Sequence, residues 1–137
     1  MASMHVDLVS PESVVFSGEA MMVVARTTAG EIAFLPGHVP FVGVLSGMSP
    51  VKIMMTEGPV RVVAVHSGFV EVSHDNVTIL SDVAEVADVI DVPRAQTAKE
   101  RAEVRLRENA DDEVAQAALQ RAELRLAVAT ATTAAAH

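Results

Sequence analysis

The stretch VAEVADVIDVPRA (residues 83–95) marks the point at which the sequence changes character. Residues 1–88 hold all seven glycines and five of the six prolines, the residues that punctuate strands and turns. Residues 89–137 hold no glycine and fourteen alanines, interspersed with Glu, Arg and Leu, a composition that favours helices. The sequence therefore predicts a β module over residues 1–88 and a helical module over residues 89–137.

Short apolar or alternating runs recur throughout the first module. Met4, Val6 and Leu8 alternate with His5 and Asp7, and a period of two is typical of a half-buried strand. Similar runs follow at intervals of about 8–12 residues, with breaks rich in Gly and Pro between them, including breaks at Gly18 and at Ser67-Gly68. We expect an all-β sandwich of about ten antiparallel strands.

The second module shows two apolar stripes with helical spacing. Asp91 is a good N-cap, and Pro93 is tolerated within the first turn. The stripes predict helices over about 92–108 and 112–130, joined by a short turn into an antiparallel hairpin. Because the stripes are mostly alanine, they bury little area at about 25 cal/mol per Å². We therefore expect a weakly held hairpin.

Composition excludes several classes of protein. The net charge of −8 and the absence of Trp and Tyr argue against a nucleic-acid partner. No apolar run reaches the roughly 18 residues of a membrane span, and the N-terminus lacks the pattern of a signal peptide. The sequence also lacks Cys, a phosphate-binding P-loop, a nucleophile elbow and a helical His pair. We predict a non-catalytic protein with no catalytic residue, no metal site and no direct membrane insertion.

Four arginines are the most informative polar residues. In an antiparallel hairpin that turns near residue 110, Arg94 and Arg101 on the first helix come near the level of Arg121 and Arg125 on the second. If the two faces turn the same way, four guanidinium groups converge, and such forks suit a polyphosphate. The same residues also fit an ordinary solvated helix face with local ion pairs.

Two further features have open interpretations. Asp91, at the start of the first helix, and Glu85, just before it, are placed to accept hydrogen bonds from an adenine amino group or a ribose hydroxyl. GEI (30–32) and PGHVP (36–40) form Gly/Pro-rich loops with an acid and an imidazole. They fit either a tip that contacts a partner or plain turn chemistry.

The sequence resembles the epsilon subunit of bacterial F-type ATP synthases over essentially its full length. The resemblance rests on a Gly-Glu-(four residues)-Pro-Gly-His pattern and on neighbouring β segments. The matching stretches are VDLVSPE (6–12), VFSGE (15–19), GEI (30–32), PGHVP (36–40), SGFVEV (67–72) and NVTILSD (76–82).

The resemblance implies a non-catalytic rotor subunit. Its sandwich would bind the gamma subunit and the membrane c-ring during proton-driven ATP synthesis, with Glu31 and His38 near the ring. Its hairpin would permit ATP hydrolysis when folded onto the sandwich. When extended, it would enter the catalytic alpha/beta head and inhibit hydrolysis. The subunit would be a peripheral part of the complex at the cytoplasmic face of the plasma membrane.

The resemblance also implies a regulatory ligand, ATP, and no required cofactor. IDVPRA (90–95) fits the I/L-D-x-x-R-A motif through which some family members bind ATP. The implied ligand set is Glu85, Ile90, Asp91, Arg94, Ala95, Arg101, Arg121 and Arg125. The alternative is a free-standing domain that senses an anion or nucleotide and belongs to no complex.

Overall fold

Strands occupy the chain up to Val86, and helices follow from Val92. The computed structural model describes residues 2–47 and 49–135. Its elements are β1 (Met4–Val9), β2 (Val14–Thr27), β3 (Gly30–Phe34), β4 (Phe41–Leu45), β5 (Val51–Met55), β6 (Arg61–Ser73), β7 (Asn76–Val86), a 3₁₀ turn (Ala87–Val89), α1 (Val92–Glu108) and α2 (Glu113–Ala135). The predicted fold class, a β-sandwich followed by a helical hairpin, is confirmed.

The predicted number of about ten strands is wrong, since the described residues form seven. Gly18 and the pair Ser67-Gly68 do not end strands but lie inside β2 and β6. The pairing of β6 with β7 shifts register around Ser67 and Gly68, as it does at a β-bulge. A bulge bends a strand without ending it, so two predicted strands merge into one at Ser67-Gly68. At Gly18 two predicted strands also merge, because regular pairing with β1 continues through that residue.

The strands form one hydrogen-bonded network. The order is β1-β7-β6-β4-β2-β3, while β5 bridges β2 and β6, and β1 also pairs with β2. The pairing of β1 with β7 is parallel, which corrects the expectation that all strands are antiparallel. Five strands separate β1 from β7 along the chain, so no tight hairpin forces their directions to oppose.

Two apolar clusters divide the interior. The larger lies inside the sandwich and includes Leu8, Phe34 and Val63. The smaller joins Val62 and Ala64 of β6 to Leu124 and Val128 of α2. Successive strand residues point to opposite faces, so β6 is buried on both faces where α2 covers it. The hairpin therefore docks on the outer face of the sandwich.

The hairpin is built from capped helices with small buried residues. The Asp91 carboxylate accepts a hydrogen bond from the backbone N–H of Arg94 at 3.1 Å. Asp112 caps α2 in the same way, accepting from Ala115 N–H at 3.0 Å. That backbone hydrogen bond, assisted by nearby Arg105, lowers the pKa of Asp112. The buried positions of α1 are both alanines, as the Ala-rich stripe predicted.

Gly47 lies where the β4–β5 segment passes under the hairpin. Its φ is +71°, and a Cβ there would overlap the backbone carbonyl of His66. Gln120 of α2 also donates a hydrogen bond to the Gly47 carbonyl at 3.4 Å. Only glycine satisfies both the backbone angle and the close approach.

We expect Gly47→Ala to lower the free energy of unfolding more than a matched glycine substitution does. The left-handed backbone costs about 1–2 kcal/mol, and the steric overlap adds about 1–3 kcal/mol. Gly58→Ala is the control, because its φ is +91° but a Cβ there meets nothing within 4 Å. Urea titrations of both variants would measure the difference. Equal losses would show that contact with His66 is unimportant.

Candidate functional site

A cavity of about 660 Å³ lies where the sandwich meets both helices. Its walls come from the end of β7, the 3₁₀ turn, the first turns of α1, and α2. The lining residues are Glu85, Val89, Asp91, Arg94, Ala95, Thr97, Ala98, Arg101 and Arg125. The volume falls within the range of about 300–1,000 Å³ that is usual for small-molecule sites.

Glu85, at one side of the cavity, contacts side chains of both the sandwich and α2. Its Oε1 accepts a hydrogen bond from Arg125 Nε at 2.7 Å and lies 2.9 Å from His66 Nε2. Partial burial disfavours the charged carboxylate, but the hydrogen bonds from Arg125 and His66 outweigh it and hold the pKa of Glu85 below its ordinary value. Glu85 is therefore an ionised link between the sandwich and α2.

Arg94 and Arg101 supply uncompensated positive charge. Both line the cavity, both are exposed, and neither forms an ion pair with another side chain in the described residues. Asp91 is occupied by the helix cap and Glu85 by Arg125. Arg94 lies in the first turn of α1, where the helix dipole also favours an anion, and Arg101 lies about two turns further along the same helix.

The structure brings together six of the eight residues in the predicted ligand set and places the other two apart. Ile90 packs against the smaller apolar cluster under α2. Arg121 lies on the exposed side of α2 and is not part of the cavity wall. Burial is the main cause that lowers the pKa of the nearby His66 imidazole, and the charges of Arg125 and, least of all, Arg121 add to it.

The two residues predicted to contact the c-ring lie on different parts of the sandwich. Glu31 is exposed and pairs with Arg26 across the β2–β3 hairpin at 3.4 Å. His38 is half-buried, and its ring packs edge-on against Phe34 with centroids 5.1 Å apart. Its Nδ1 lies 2.7 Å from the Val39 carbonyl. The loop after β3 thus holds the His38 imidazole in place through its contacts with Phe34 and the Val39 carbonyl. The Glu31 carboxylate, in contrast, is accessible to solvent.

An apolar surface crosses three strands on the outside of the sandwich. Val44 of β4 is opposite Phe69 of β6, which is opposite Leu80 of β7. Together with Val42 they form what we call the β4–β6–β7 apolar surface, and each is at least 42% exposed. Beside it a groove of about 640 Å³ extends to the segment containing Pro11. A continuous exposed row of this kind marks an interaction site.

His66 is a central residue that sequence reasoning missed. It follows Val62 and Ala64 on the face of β6 that α2 covers, and only 7% of its side chain is exposed. The sequence contains one signal that His66 is covered, which is the unbroken apolar run of residues 62–65. A strand that is apolar on both faces is buried on both faces. The next outward position, His66, then had to lie under a neighbouring element.

Within the part of the chain that the structure describes, we find neither a membrane-spanning helix nor a metal-binding cluster. Neither α1 nor α2 offers the apolar length needed to cross a bilayer. Over the same residues, no group of three His, Asp or Glu side chains is arranged to hold a metal ion.

Comparison with known proteins gives a consistent result for both modules. Residues 3–87 match the model of the ATP synthase delta/epsilon chain β-sandwich domain, and residues 88–130 match that of its long α-helix domain. The ATP synthase epsilon chain of Streptomyces griseus is 46% identical over 118 residues, covering 77% of this chain and 94% of that one. The epsilon chain of Shouchella clausii is 45% identical over 130 residues, covering 94% and 96%.

The fold is also found in a solved complex. A chain in the structure of the Euglena gracilis mitochondrial ATP synthase (OSCP, F1 and c-ring) aligns with a TM-score of 0.69 at 23% identity, covering all of this chain and 83% of that one. With both family models matched, the chain belongs to the delta/epsilon family of ATP synthase and, within it, to the bacterial epsilon chains.

Proposed function

We propose that this subunit is non-catalytic, that its sandwich joins the gamma subunit to the c-ring, and that its hairpin inhibits ATP hydrolysis when it leaves the sandwich. We further propose that ATP binds in the cavity at Arg94 and Arg101 and keeps the hairpin docked. The single observation that carries the ligand proposal is the composition of the cavity wall. The wall combines β7, α1 and α2, so a ligand there contacts the sandwich and both helices at once.

The charges of the cavity favour a polyphosphate. Arg94 and Arg101 are available for charge-assisted hydrogen bonds, and each such bond contributes about 1.5–3 kcal/mol. Arg125 is a third guanidinium in the wall, with its Nε already bonded to Glu85. The helix cap uses Oδ1 of Asp91, and Arg125 and His66 use Oε1 of Glu85. The second oxygen of each carboxylate is left to accept a hydrogen bond from an adenine amino group or a ribose hydroxyl. Arg121 lies outside the wall, so we expect its contribution to be smaller.

The docked hairpin is held lightly enough for such a ligand to matter. The apolar seam between α2 and the sandwich consists of Leu124 and Val128 against Val62 and Ala64, with a few half-buried neighbours. A ligand that binds only the docked state at a hundred times its dissociation constant stabilises that state by about 2.7 kcal/mol. Between two states of similar free energy, this decides which one is populated.

The sandwich offers separate surfaces for two partners. We assign the β4–β6–β7 apolar surface to the gamma subunit, since buried apolar area is the main source of affinity between stable subunits. We assign Glu31 and His38 to the polar loops of the c-ring, consistent with a peripheral subunit at the cytoplasmic face of the membrane. In the extended state, Arg121 and Arg125 would be free to pair with acidic segments of the catalytic head.

Calorimetric titration of the full chain with ATP tests the ligand site. We expect Arg94→Ala and Arg101→Ala each to weaken ATP binding by about tenfold or more, because each removes a charge-assisted hydrogen bond. Arg107→Ala is the matched control, since Arg107 is an exposed arginine on α1 outside the cavity wall. An equal loss in all three variants would indicate general charge attraction and contradict the site.

The alternative, a free-standing sensor, makes a different prediction for the same protein. It would bind ATP in the same calorimetric titration but would not bind isolated gamma subunit. Capture of gamma by wild type and by Arg94→Ala alike, with ATP binding lost only in the variant, would separate the stalk role from the sensor role.

A further inference from the structure

His66 lies at the contact between the sandwich and α2. It is two residues after Ala64 on the outward face of β6, which the smaller apolar cluster shows to be covered by α2. Glu85 on β7 is directly opposite Ala64 in the strand pairing and therefore shares that face. The imidazole is thus enclosed by residues of both the sandwich and the hairpin.

The charged groups around His66 come from two elements. Glu85 of β7 lies 2.9 Å from Nε2, and Arg125 and Arg121 of α2 both act on the imidazole electrostatically. Gly47, from the segment between β4 and β5, presents only backbone to His66. His66 Nδ1 is buried and has no hydrogen-bond partner within the described part of the chain.

This arrangement suits a neutral imidazole. In the neutral form, Nε2–H donates to Glu85 and Nδ1 carries only a lone pair. Protonation places a second N–H on Nδ1, for which the described residues supply no acceptor, and adds a cation beside Arg121 and Arg125. Glu85 compensates poorly, because the same Oε1 already accepts from Arg125 at 2.7 Å.

We propose that His66 is a proton-sensitive latch, so that its protonation favours release of α2 from the sandwich. The inference goes beyond nucleotide binding and rests on the proposed mobility of the hairpin. Release of α2 removes both guanidinium groups and opens the imidazole to water. The protonated form then gains hydration and loses its cationic neighbours.

The direction of the pH dependence follows from linkage. In the docked state, burial lowers the pKa of His66 below its ordinary value of 6.5. The hydrogen bond with Glu85 opposes this shift, and the charges of Arg125 and Arg121 add to it. In the released state the pKa returns toward that value. Because the pKa of His66 is lower in the docked state than in the released state, release is accompanied by proton uptake at pH values between the two. Docking is therefore favoured above the released-state pKa, and this advantage is lost as the pH falls. The docking constant then changes by at most about tenfold per pH unit between the two pKa values.

Energy transfer between two labels on the full chain measures docking directly. The chain has no cysteine, so Glu57→Cys on the sandwich and Ala117→Cys on α2 give two labelling sites, both at exposed positions. We expect the docked fraction of the wild-type sequence, without ATP, to fall as pH is lowered from about 7.5 to about 5.5. Leu124→Asp in the same background supplies the released reference.

Two variants at the latch and one control identify the responsible group. His66→Gln keeps a donor for Glu85 but does not titrate, and we expect its docked fraction to be independent of pH. Arg121→Gln, at an exposed position, removes one cation beside the imidazole, and we expect a smaller pH dependence. His74→Asn is the control, because His74 lies in a turn with φ of 56°, which asparagine tolerates.

Each result has a defined meaning. A pH dependence that persists in His66→Gln, or that disappears in His74→Asn, overturns the latch. A wild type that stays docked at all pH values, while Leu124→Asp separates the labels, overturns the latch and leaves hairpin mobility standing. Labels that stay together even in Leu124→Asp overturn the proposed mobility itself.

Discussion

Leu124→Asp is expected to release the hairpin from the sandwich while the sandwich remains folded. Leu124 is 2% exposed and is one of two α2 residues in the smaller apolar cluster. Loss of a buried leucine side chain costs about 2–5 kcal/mol, and an unpaired buried carboxylate costs several kcal/mol more. Both penalties apply only to the docked state. In the released state the aspartate side chain faces water, so the released state is favoured. Over the residues that the structure describes, the larger cluster contains no hairpin residue, so we expect its packing to be unaffected.

Hydrogen exchange resolved by segment measures this effect. We expect backbone amides of residues 113–130 in Leu124→Asp to lose protection, while those of β1, β6 and β7 stay protected. Val114→Asp is the matched control, since Val114 is on the same helix but 66% exposed. If the proposed inhibition is right, enzyme assembled with Leu124→Asp hydrolyses ATP more slowly than enzyme with Val114→Asp. Full protection of α2 in Leu124→Asp would contradict the proposal that α2 is held weakly on the sandwich by the smaller apolar cluster.

Phe69→Asp is expected to abolish high-affinity binding to the gamma subunit. Phe69 is the middle residue of the β4–β6–β7 apolar surface, with Val44 and Leu80 opposite it on the two neighbouring strands. Central aromatic residues of an interface contribute about 2 kcal/mol or more, roughly a thirtyfold change in affinity. A carboxylate buried at the same place adds a desolvation cost. Because Phe69 is 52% exposed in the free subunit, we expect little change in the stability of the sandwich.

Titration of gamma with labelled subunit measures this loss, with thermal unfolding to verify the fold. Val44→Asp, on the adjacent strand, should weaken binding in the same way. Val104→Asp is the control, because Val104 is an exposed valine of similar accessibility, 44%, on α1. Wild-type affinity in Phe69→Asp would show that gamma binds elsewhere on the sandwich.

The division between strands and helices was readable from local chemistry, and the number of strands was not. Pro93 and Asp91 indicated the start of α1, and Asp91 indeed caps it. The glycine pattern predicts strand ends at Gly18 and Gly68, whereas each lies within a long strand. A glycine permits both a turn and a bulge, and the choice depends on which neighbouring strand pairs with it.

The candidate site divides in the same way. Arg94, Arg101 and Arg125 were selected from helical spacing, and all three line one cavity. Arg121, on the same face of α2 as Arg125, lies outside it, because Arg121 is one helical turn nearer to the α1–α2 turn and the cavity lies beside β7 and the start of α1. For His66, the apolar run of residues 62–65 indicates that some element covers this part of the strand, but nothing local identifies that element as α2.

The sequence by itself determined the two modules, the caps of the helices and the small residues of the hairpin, because these depend on backbone propensity and on the period of apolar side chains. Only the tertiary structure decided that Glu85 would bond to Arg125, 40 positions further along the chain, and that α2 would cover His66. Contacts between distant segments depend on how whole elements pack together, and no local pattern of residues contains that information.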